Sequence, residues 1–251
     1  MKKAKLSDFR EDLFSQIGED GIIAKIFEII GPRSNVCIEF GAWDGFFLSN
    51  TAALWTIGWK GILIEADQAR FRQLVANTQP YNCICLNAYV GIGEEDSLEA
   101  LLQKYDLTGP VDLLSIDVDG NDYYIFASLT HLRPRVIVVE YNPSMPAEID
   151  IYPEYDNSVG CSPAALVRVA RSKGYQLIAM TEYNAFFVVN EEYDKFADYE
   201  TELKEIKFDC YVNYLISTHN GEYFGVSRIE RPCDLSRRFT GKINGEFFRL
   251  V

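Results

Sequence analysis

Histidine is almost missing from this chain. His131 and His219 are its only two, and they lie too far apart in sequence to suggest a histidine-based metal site. Positive charge is also short. Twenty-four Lys and Arg stand against 37 Asp and Glu, a formal net charge of −13. That balance repels phosphate backbones and anionic membrane surfaces, so no nucleic-acid partner is expected, and it serves solubility instead. Apolar runs long enough to span a bilayer are absent, which argues against membrane insertion. The opening Met1-Lys2-Lys3-Ala4-Lys5-Leu6 is basic, but Asp8, Glu11 and Asp12 follow where a secretory signal would place an apolar stretch. Internal repeats and low-complexity runs are lacking too. The six cysteines, Cys37, Cys83, Cys85, Cys161, Cys210 and Cys233, have no zinc-like spacing, and reduced thiols in a cytoplasmic protein are their simplest account. A Gly-x-Gly-x-x-Gly run, which a dinucleotide's pyrophosphate demands, is the last absence.

What is present alternates between helix and strand, predicting a mostly parallel sheet. Ile22, Ile23, Ile26, Phe27 and Ile30 recur at helical spacing within Gln16 to Ile30, and Gly31-Pro32 stops the run. Strands are expected at Val36 to Phe40, Ile62 to Glu65, Cys83 to Ala88, Val111 to Ile116 and Arg135 to Val139. Between them fall helices at Ser49 to Ile57, Ala69 to Asn77, Leu98 to Lys104 and Tyr123 to Leu129. Cys83 and Cys85 alternate along a strand and so share a face. Pro143 to Gly160 has little periodicity and reads as a lid or binding loop. Ser162-Pro163 opens a further helix, Gly174 closes it, and Tyr175 to Met180 and Ala185 to Val189 form a final pair of strands. The expected architecture is a Rossmann-like, doubly wound, mostly parallel seven-stranded sheet with helices on both faces. It would occupy residues 1–190. Residues 191–251, with one more strand at Tyr211 to Ser217, would form a C-terminal extension on the substrate side or at an oligomer contact.

The ends of these strands carry the chemistry. Glu39, Glu65, Asn87, Asp117 and Glu140 each close an apolar run. In a parallel sheet such ends lie along one edge, where ligands of open α/β sheets bind. A lone acid there would simply cap a helix; five polar ends in succession form a lining. Gly41-Ala-Trp-Asp-Gly45 lets a small molecule approach the backbone, while Trp43 and Asp44 stand where phosphates would need room. Acids suit a ligand with ribose hydroxyls, an ammonium and a sulfonium better than a pyrophosphate. S-adenosylmethionine is therefore favoured over a dinucleotide.

The chain resembles class I S-adenosylmethionine-dependent methyltransferases, most closely their FkbM-type branch, from about Phe14 to Asn190. The resemblance rests on an ordered set of motifs. These are Phe14-Ser-Gln16-Ile-Gly-Glu19-Asp20-Gly21, Glu39-Phe-Gly41-Ala-Trp-Asp-Gly45, Ile64-Glu65, Ser115-Ile-Asp117-Val-Asp119-Gly120-Asn-Asp122, Glu140-Tyr-Asn142-Pro and Asn184-Ala-Phe-Phe-Val188. It implies O-methylation of a sugar, polysaccharide or specialised metabolite. It also implies that Glu39, Gly41 and Gly45 line the methionine end of the cofactor, Glu65 takes the ribose, Asn87 and Ala88 flank the adenine, Asp117 faces the amino group or transfer centre, and Gln16 closes over the side. A hydroxyl acceptor calls for a general base. Asp119 is the first candidate, Glu140 the second and His219 the third. The alternative is magnesium on Asp117, Glu140 and Asn142, which offer the oxygen ligands a hard cation prefers. Tyr123, Tyr124, Tyr141, Tyr152, Tyr155 and Tyr183 would offer ring faces to a carbohydrate acceptor. The rival functions are an NAD(P)-dependent oxidoreductase and a non-catalytic cofactor-binding protein, and a homo-oligomer is compatible with either.

Overall fold

Apolar strands drawn from the first three quarters of the chain pair into one sheet. β1 (Val36–Phe40), β2 (Lys60–Glu65), β3 (Cys83–Asn87), β4 (Leu113–Ile116) and β5 (Val136–Glu140) run parallel. β8 (Asn184–Val189) inserts antiparallel between β5 and β7 (Tyr175–Met180), giving the order β3-β2-β1-β4-β5-β8-β7. The computed structural model describes residues 3–208, 213–220, 223–227 and 240–249. The architecture is the expected one, α/β and doubly wound. Chain direction across the sheet reverses between β1 and β4, which opens a crevice beyond their carboxyl ends.

Strand periodicity of two sorts the core into halves. Ile38, Phe40, Ile62, Ile64, Leu114, Ile116, Ile137 and Val139 face α4 (Leu98–Lys104), α5 (Asp122–Ser128) and α6 (Pro163–Ser172). Cys37, Leu63, Leu113, Val136, Val138, Phe186 and Val188 face α1 (Glu19–Ile30), α2 (Ala52–Trp55) and α3 (Gln68–Thr78).

Two helices are shorter than their hydrophobic spacing predicts, for a polar reason in each case. α1 starts at Glu19, not Gln16, because the Asp20 carboxylate accepts the backbone N–H groups of Leu13, Phe14 and Ser15 at 2.8–2.9 Å and folds that segment into a loop. Gly21 lets this segment cross closely, since a methyl group there would sit 2.1 Å from the Phe9 carbonyl oxygen. α2 starts at Ala52, not Ser49, because the residues before it bond to Glu39.

The segment from 143 to 160 is a fixed wall. It contains β6 (Ile151–Pro153), which pairs antiparallel with β11 (Thr240–Ile243), itself hairpinned to β12 (Glu246–Arg249). The Tyr124 hydroxyl donates to the Pro153 carbonyl, and the Asp156 N–H donates to Asn121 Oδ1. A methyl group on Gly120 would lie 2.5 Å from the Asn157 carbonyl oxygen, so wall and turn are in direct contact. Past residue 190, α7 (Asn190–Tyr193) and α8 (Leu203–Ile206) follow, and Phe196 and Ile206 are buried. β9 (Asn213–Ser217) pairs with β10 (Tyr223–Ser227); the expected start of that strand, Tyr211, lies outside the described residues. Cys210 and Cys233 lie outside them too, while Cys37, Cys83, Cys85 and Cys161 are free thiols. Among the described residues no helix is long and apolar enough to cross a membrane.

The N-terminal strap is pinned from far along the chain. Glu19 Oε1 accepts from Thr181 Oγ1 at 2.7 Å and Asn184 Nδ2 at 3.0 Å, and Arg10 pairs with Glu182 at 2.6 Å. At the amino edge of the sheet a second network centres on buried Arg135. Its guanidinium donates to Asp112 at 3.0 Å, Glu192 at 2.8 Å and the Gly31 and Ile30 carbonyls.

Candidate active site

A cavity of about 370 Å³ opens at the carboxyl edge, over the crevice between β1 and β4. Gln16, Glu39, Gly41, Glu65, Ala88, Asp117, Asp119 and Glu140 all line it. Eight of the eleven site residues expected from sequence therefore converge. Gln16 does so from the loop before α1 and not from a helix.

Glu39 points to the α1–α2 side of β1 and holds the chain that follows. Its carboxylate accepts the Asn50 N–H at 2.8 Å and the Ser49 and Thr51 hydroxyls at 2.6 and 2.7 Å. A fixed carboxylate thus satisfies the polar groups just ahead of α2, where a dinucleotide-binding sheet would present them to pyrophosphate. Burial still pushes the Glu39 carboxyl above its usual range, against these three hydrogen bonds.

Glu65 is locked in a similar way: Oε2 accepts the Trp43 N–H at 2.9 Å and Oε1 the Asp67 N–H at 2.7 Å. Each carboxylate oxygen has a second lone pair, so acceptor capacity toward the cavity is left. Gly41 sits at φ +71°, and a methyl group there would be 2.4 Å from the Asp117 carbonyl oxygen. The turns after β1 and β4 touch backbone to backbone, which only glycine permits.

The turn after β4 is shaped by Asp122. Its carboxylate accepts the Val118 N–H at 2.8 Å and the Gly120 N–H at 2.9 Å, which sets Asp119 in the left-handed region at φ +57°, exposed toward the cavity. Burial, with the negative charges of Asp122, Asp119 and Glu39 around it, pushes the Asp117 carboxyl up to about 8, while a hydrogen bond with Glu140 opposes the rise. Burial likewise pushes Asp122 to about 6, against its two amide bonds.

These shifts have a sign in stability. Both groups bind protons more tightly folded than unfolded, where an aspartate titrates near 3.8. Their contribution is whole below about pH 4 and is lost as pH rises through about 6 and about 8. The melting temperature is therefore expected to fall between pH 5 and pH 8.5, with Asp117→Asn flattening the decline. Scanning calorimetry across that range checks it, and an unchanged slope in the variant would refute the assignment.

The remaining expected residues lie elsewhere. Gly45, at φ +92°, packs against Leu74 and Thr78 of α3 and does not line the cavity. Asn87 turns its amide to the Glu65 and Ala66 carbonyls and fixes the end of β2. His219 is exposed in the turn after β9 and is not part of the lining. Asp44 folds back onto the Phe46 and Phe47 N–H groups, so it does not stand in a phosphate's place. Asn142 donates to the Val159 carbonyl and accepts from the Ser144 N–H and hydroxyl, which makes it a brace for the wall.

Magnesium fits this arrangement poorly. Among the described residues, the ligand atoms that approach one another, within 4.8 Å, belong to Asp117, Asp122 and Glu140. Asp122 is committed to backbone amides, Asp117 and Glu140 are hydrogen-bonded to each other, and the Asn142 carbonyl is taken up by Ser144.

The tyrosine expectation also changes. None of Tyr123, Tyr124, Tyr141, Tyr152, Tyr155 and Tyr183 lines the cavity. Tyr123 and Tyr152 stack at 4.3 Å beneath Arg168, which is bound to Asp150, and the Tyr141 hydroxyl donates to the Thr181 carbonyl. In their place stand residues that the sequence did not single out for binding: Phe47, Leu48, Arg70 and Tyr89, with Trp43 at φ +47° under the Arg70 guanidinium at 3.3 Å. The only advance signal for Trp43, Phe47 and Leu48 was the aromatic and apolar run about the glycine turn, and Arg70 and Tyr89 had none.

No protein-family model matches this chain, and no curated protein matches it in sequence. Solved structures similar to it include an S-adenosylmethionine-dependent methyltransferase from Clostridium acetobutylicum, at 9% identity over 68% of this chain and 90% of that one, with a TM-score of 0.45. The CMeT domain of a citrinin polyketide synthase matches at 10% identity over 70% of this chain and 54% of that one, with a TM-score of 0.46. A SAM-dependent methyltransferase from Aquifex aeolicus matches at 11% identity over 66% of this chain and 89% of that one, with a TM-score of 0.38.

Proposed function

We propose that this chain is an S-adenosylmethionine-dependent methyltransferase that transfers the methyl group to a hydroxyl of a small molecule, a carbohydrate or a glycosylated metabolite. One observation carries the reading: the sheet-edge cavity is bounded by a glycine turn pressed against Asp117 and by carboxylates at the ends of β1, β2, β4 and β5. Glu65 keeps lone pairs for ribose hydroxyls, and Asp117 and Glu39 face an ammonium and a sulfonium, whose charge would draw both raised carboxyls back toward the ionised form. Polar groups that would have met a pyrophosphate are taken by Glu39, which favours this cofactor over a nicotinamide dinucleotide.

S-adenosylmethionine, when bound, supplies a methyl carbon activated by sulfonium. The chain's own residues position the acceptor and manage its proton. Asp119, exposed at the cavity and held by the Asp122-braced turn, accepts the proton of the attacking hydroxyl. Glu140, hydrogen-bonded to Asp117, is the second candidate base.

Calorimetric titration with S-adenosylhomocysteine, with NAD as control, tests the cofactor assignment. Micromolar binding of the first alone is expected, and binding of NAD, or of neither, would overturn it. With an acceptor in hand, Asp119→Asn is expected to lower kcat roughly a hundredfold while leaving homocysteine-nucleoside binding within about twofold. Unchanged turnover would remove Asp119 from the mechanism.

A further inference from the structure

The charged lining of the cavity is one-sided. Among the described residues it contains five carboxyl groups, from Glu39, Glu65, Asp117, Asp119 and Glu140, of which burial holds Asp117 mostly protonated near neutral pH, against one guanidinium, from Arg70. That guanidinium lies flat on the Trp43 ring. An anionic acceptor would enter a field of its own sign and lose hydration with only Arg70 to oppose that field.

The mouth is apolar. Trp43, Phe47, Leu48 and Tyr89 line the cavity and are also exposed by 38, 55, 43 and 54% of their surface. Large side chains left in water side by side at a cavity rim mark a binding surface. The arrangement is held in place: the Trp43 N–H is bonded to Glu65, the Phe47 N–H to Asp44, and the Trp43 and Phe47 rings meet at 5.2 Å. The polar tyrosine cluster that would suit a bare sugar ring is instead packed into the wall behind.

We infer that the acceptor is an uncharged amphipathic molecule, a hydroxyl-bearing head on an apolar body, whose body seats on Trp43, Phe47, Leu48 and Tyr89 while its hydroxyl reaches Asp119. This rests on the methyltransferase reading for the chemistry done to the hydroxyl, but not for the seat itself. The repulsion of anions and the apolar rim select together: the first excludes phosphorylated and carboxylated acceptors, the second disfavours bare sugars.

The test uses three probes on the full chain. These are n-octyl β-D-glucoside below its micelle concentration, glucose and octyl phosphate, followed by tryptophan fluorescence, since Trp55 and Trp59 are buried and Trp43 is not. The glucoside is expected to bind at least tenfold more tightly than either glucose or octyl phosphate. The double variant Phe47→Ser, Leu48→Ser, which changes two exposed side chains, is expected to lose that preference while binding S-adenosylhomocysteine within about twofold. Equal binding of glucose, equal binding of octyl phosphate, no binding of the glucoside, or a preference that survives the double variant would each overturn the inference. Failure to bind S-adenosylhomocysteine while the glucoside preference holds would overturn the methyltransferase reading and leave the apolar seat standing.

Discussion

Gly41→Ala is expected to weaken S-adenosylhomocysteine binding by at least a hundredfold. Two costs meet at this position. An alanine at φ +71° suffers the left-handed penalty of about 1–2 kcal/mol. Its methyl group would also overlap the Asp117 carbonyl oxygen, 2.4 Å away, and such overpacking typically costs a further ~1–3 kcal/mol. The carbonyl cannot retreat easily, because it directly follows β4 and its turn is held by Asp122. The Gly41 turn must therefore move, taking Ala42 and Trp43 with it. The Trp43 N–H would leave Glu65, and both edges of the proposed cofactor site would shift together. Gly58→Ala is the control, since Gly58 has a comparable backbone, φ +103°, but nothing within 4 Å of the added methyl. It should cost the same about 1–2 kcal/mol of stability and leave binding alone. Equal binding losses in the two variants, or none in Gly41→Ala, would show that the close approach does not shape the site.

Arg135→Met is expected to destabilise the fold by about 3–5 kcal/mol without touching the cavity. Arg135 sits at the opposite, amino edge of the sheet, 10% exposed, between Asp112 and Glu192. Methionine fills most of its volume but donates nothing. Asp112 keeps its bonds from the Arg33, Ser34 and Asn35 N–H groups, and Glu192 keeps Arg33 and Lys195. Both acids still lose their buried countercharge, and the Gly31 and Ile30 carbonyls lose a donor. For a chain of this size each kcal/mol lowers the melting temperature by roughly 2–4 °C, so a fall of roughly 6–20 °C should appear in a thermal scan. A shift under about 2 °C would mean that the pair's desolvation cost cancels its attraction. Binding of S-adenosylhomocysteine, measured well below the transition, should stay within about twofold.

The sheet and its acidic edge were legible in sequence because each is written locally. An apolar run of four to six residues, ended by an acid, identifies a strand and its functional end together. Glu39, Glu65, Asp117 and Glu140 were found in that way. What was illegible depends on partners distant in the chain. Glu39 looked like a ligand group, yet most of its bonding capacity goes to residues 49–51, placed by a turn that no periodicity encodes. Asn87 was grouped with the acids for its position, but an amide can donate, and it turned to the neighbouring strand's carbonyls instead. Gly45 shares a motif with Gly41 but serves packing on α3. The wall from 143 to 160 read as a lid because a three-residue strand has no pattern of its own, and its partner begins near residue 240.

The long-range pins on the strap carry a consequence for synthesis. Glu19 finds its partners 162 and 165 residues later, and Arg10 finds Glu182 172 residues later. On a growing chain the strap bearing Gln16 therefore has only its local bonds to Asp20 until the β7–β8 turn has left the ribosome. The early β-α-β half can fold first, since its strand pairs are close in sequence, and it would present the acidic crevice with one side still open. Closure of the pocket then becomes a late event in the life of the nascent protein, coupled to addition of the antiparallel strand.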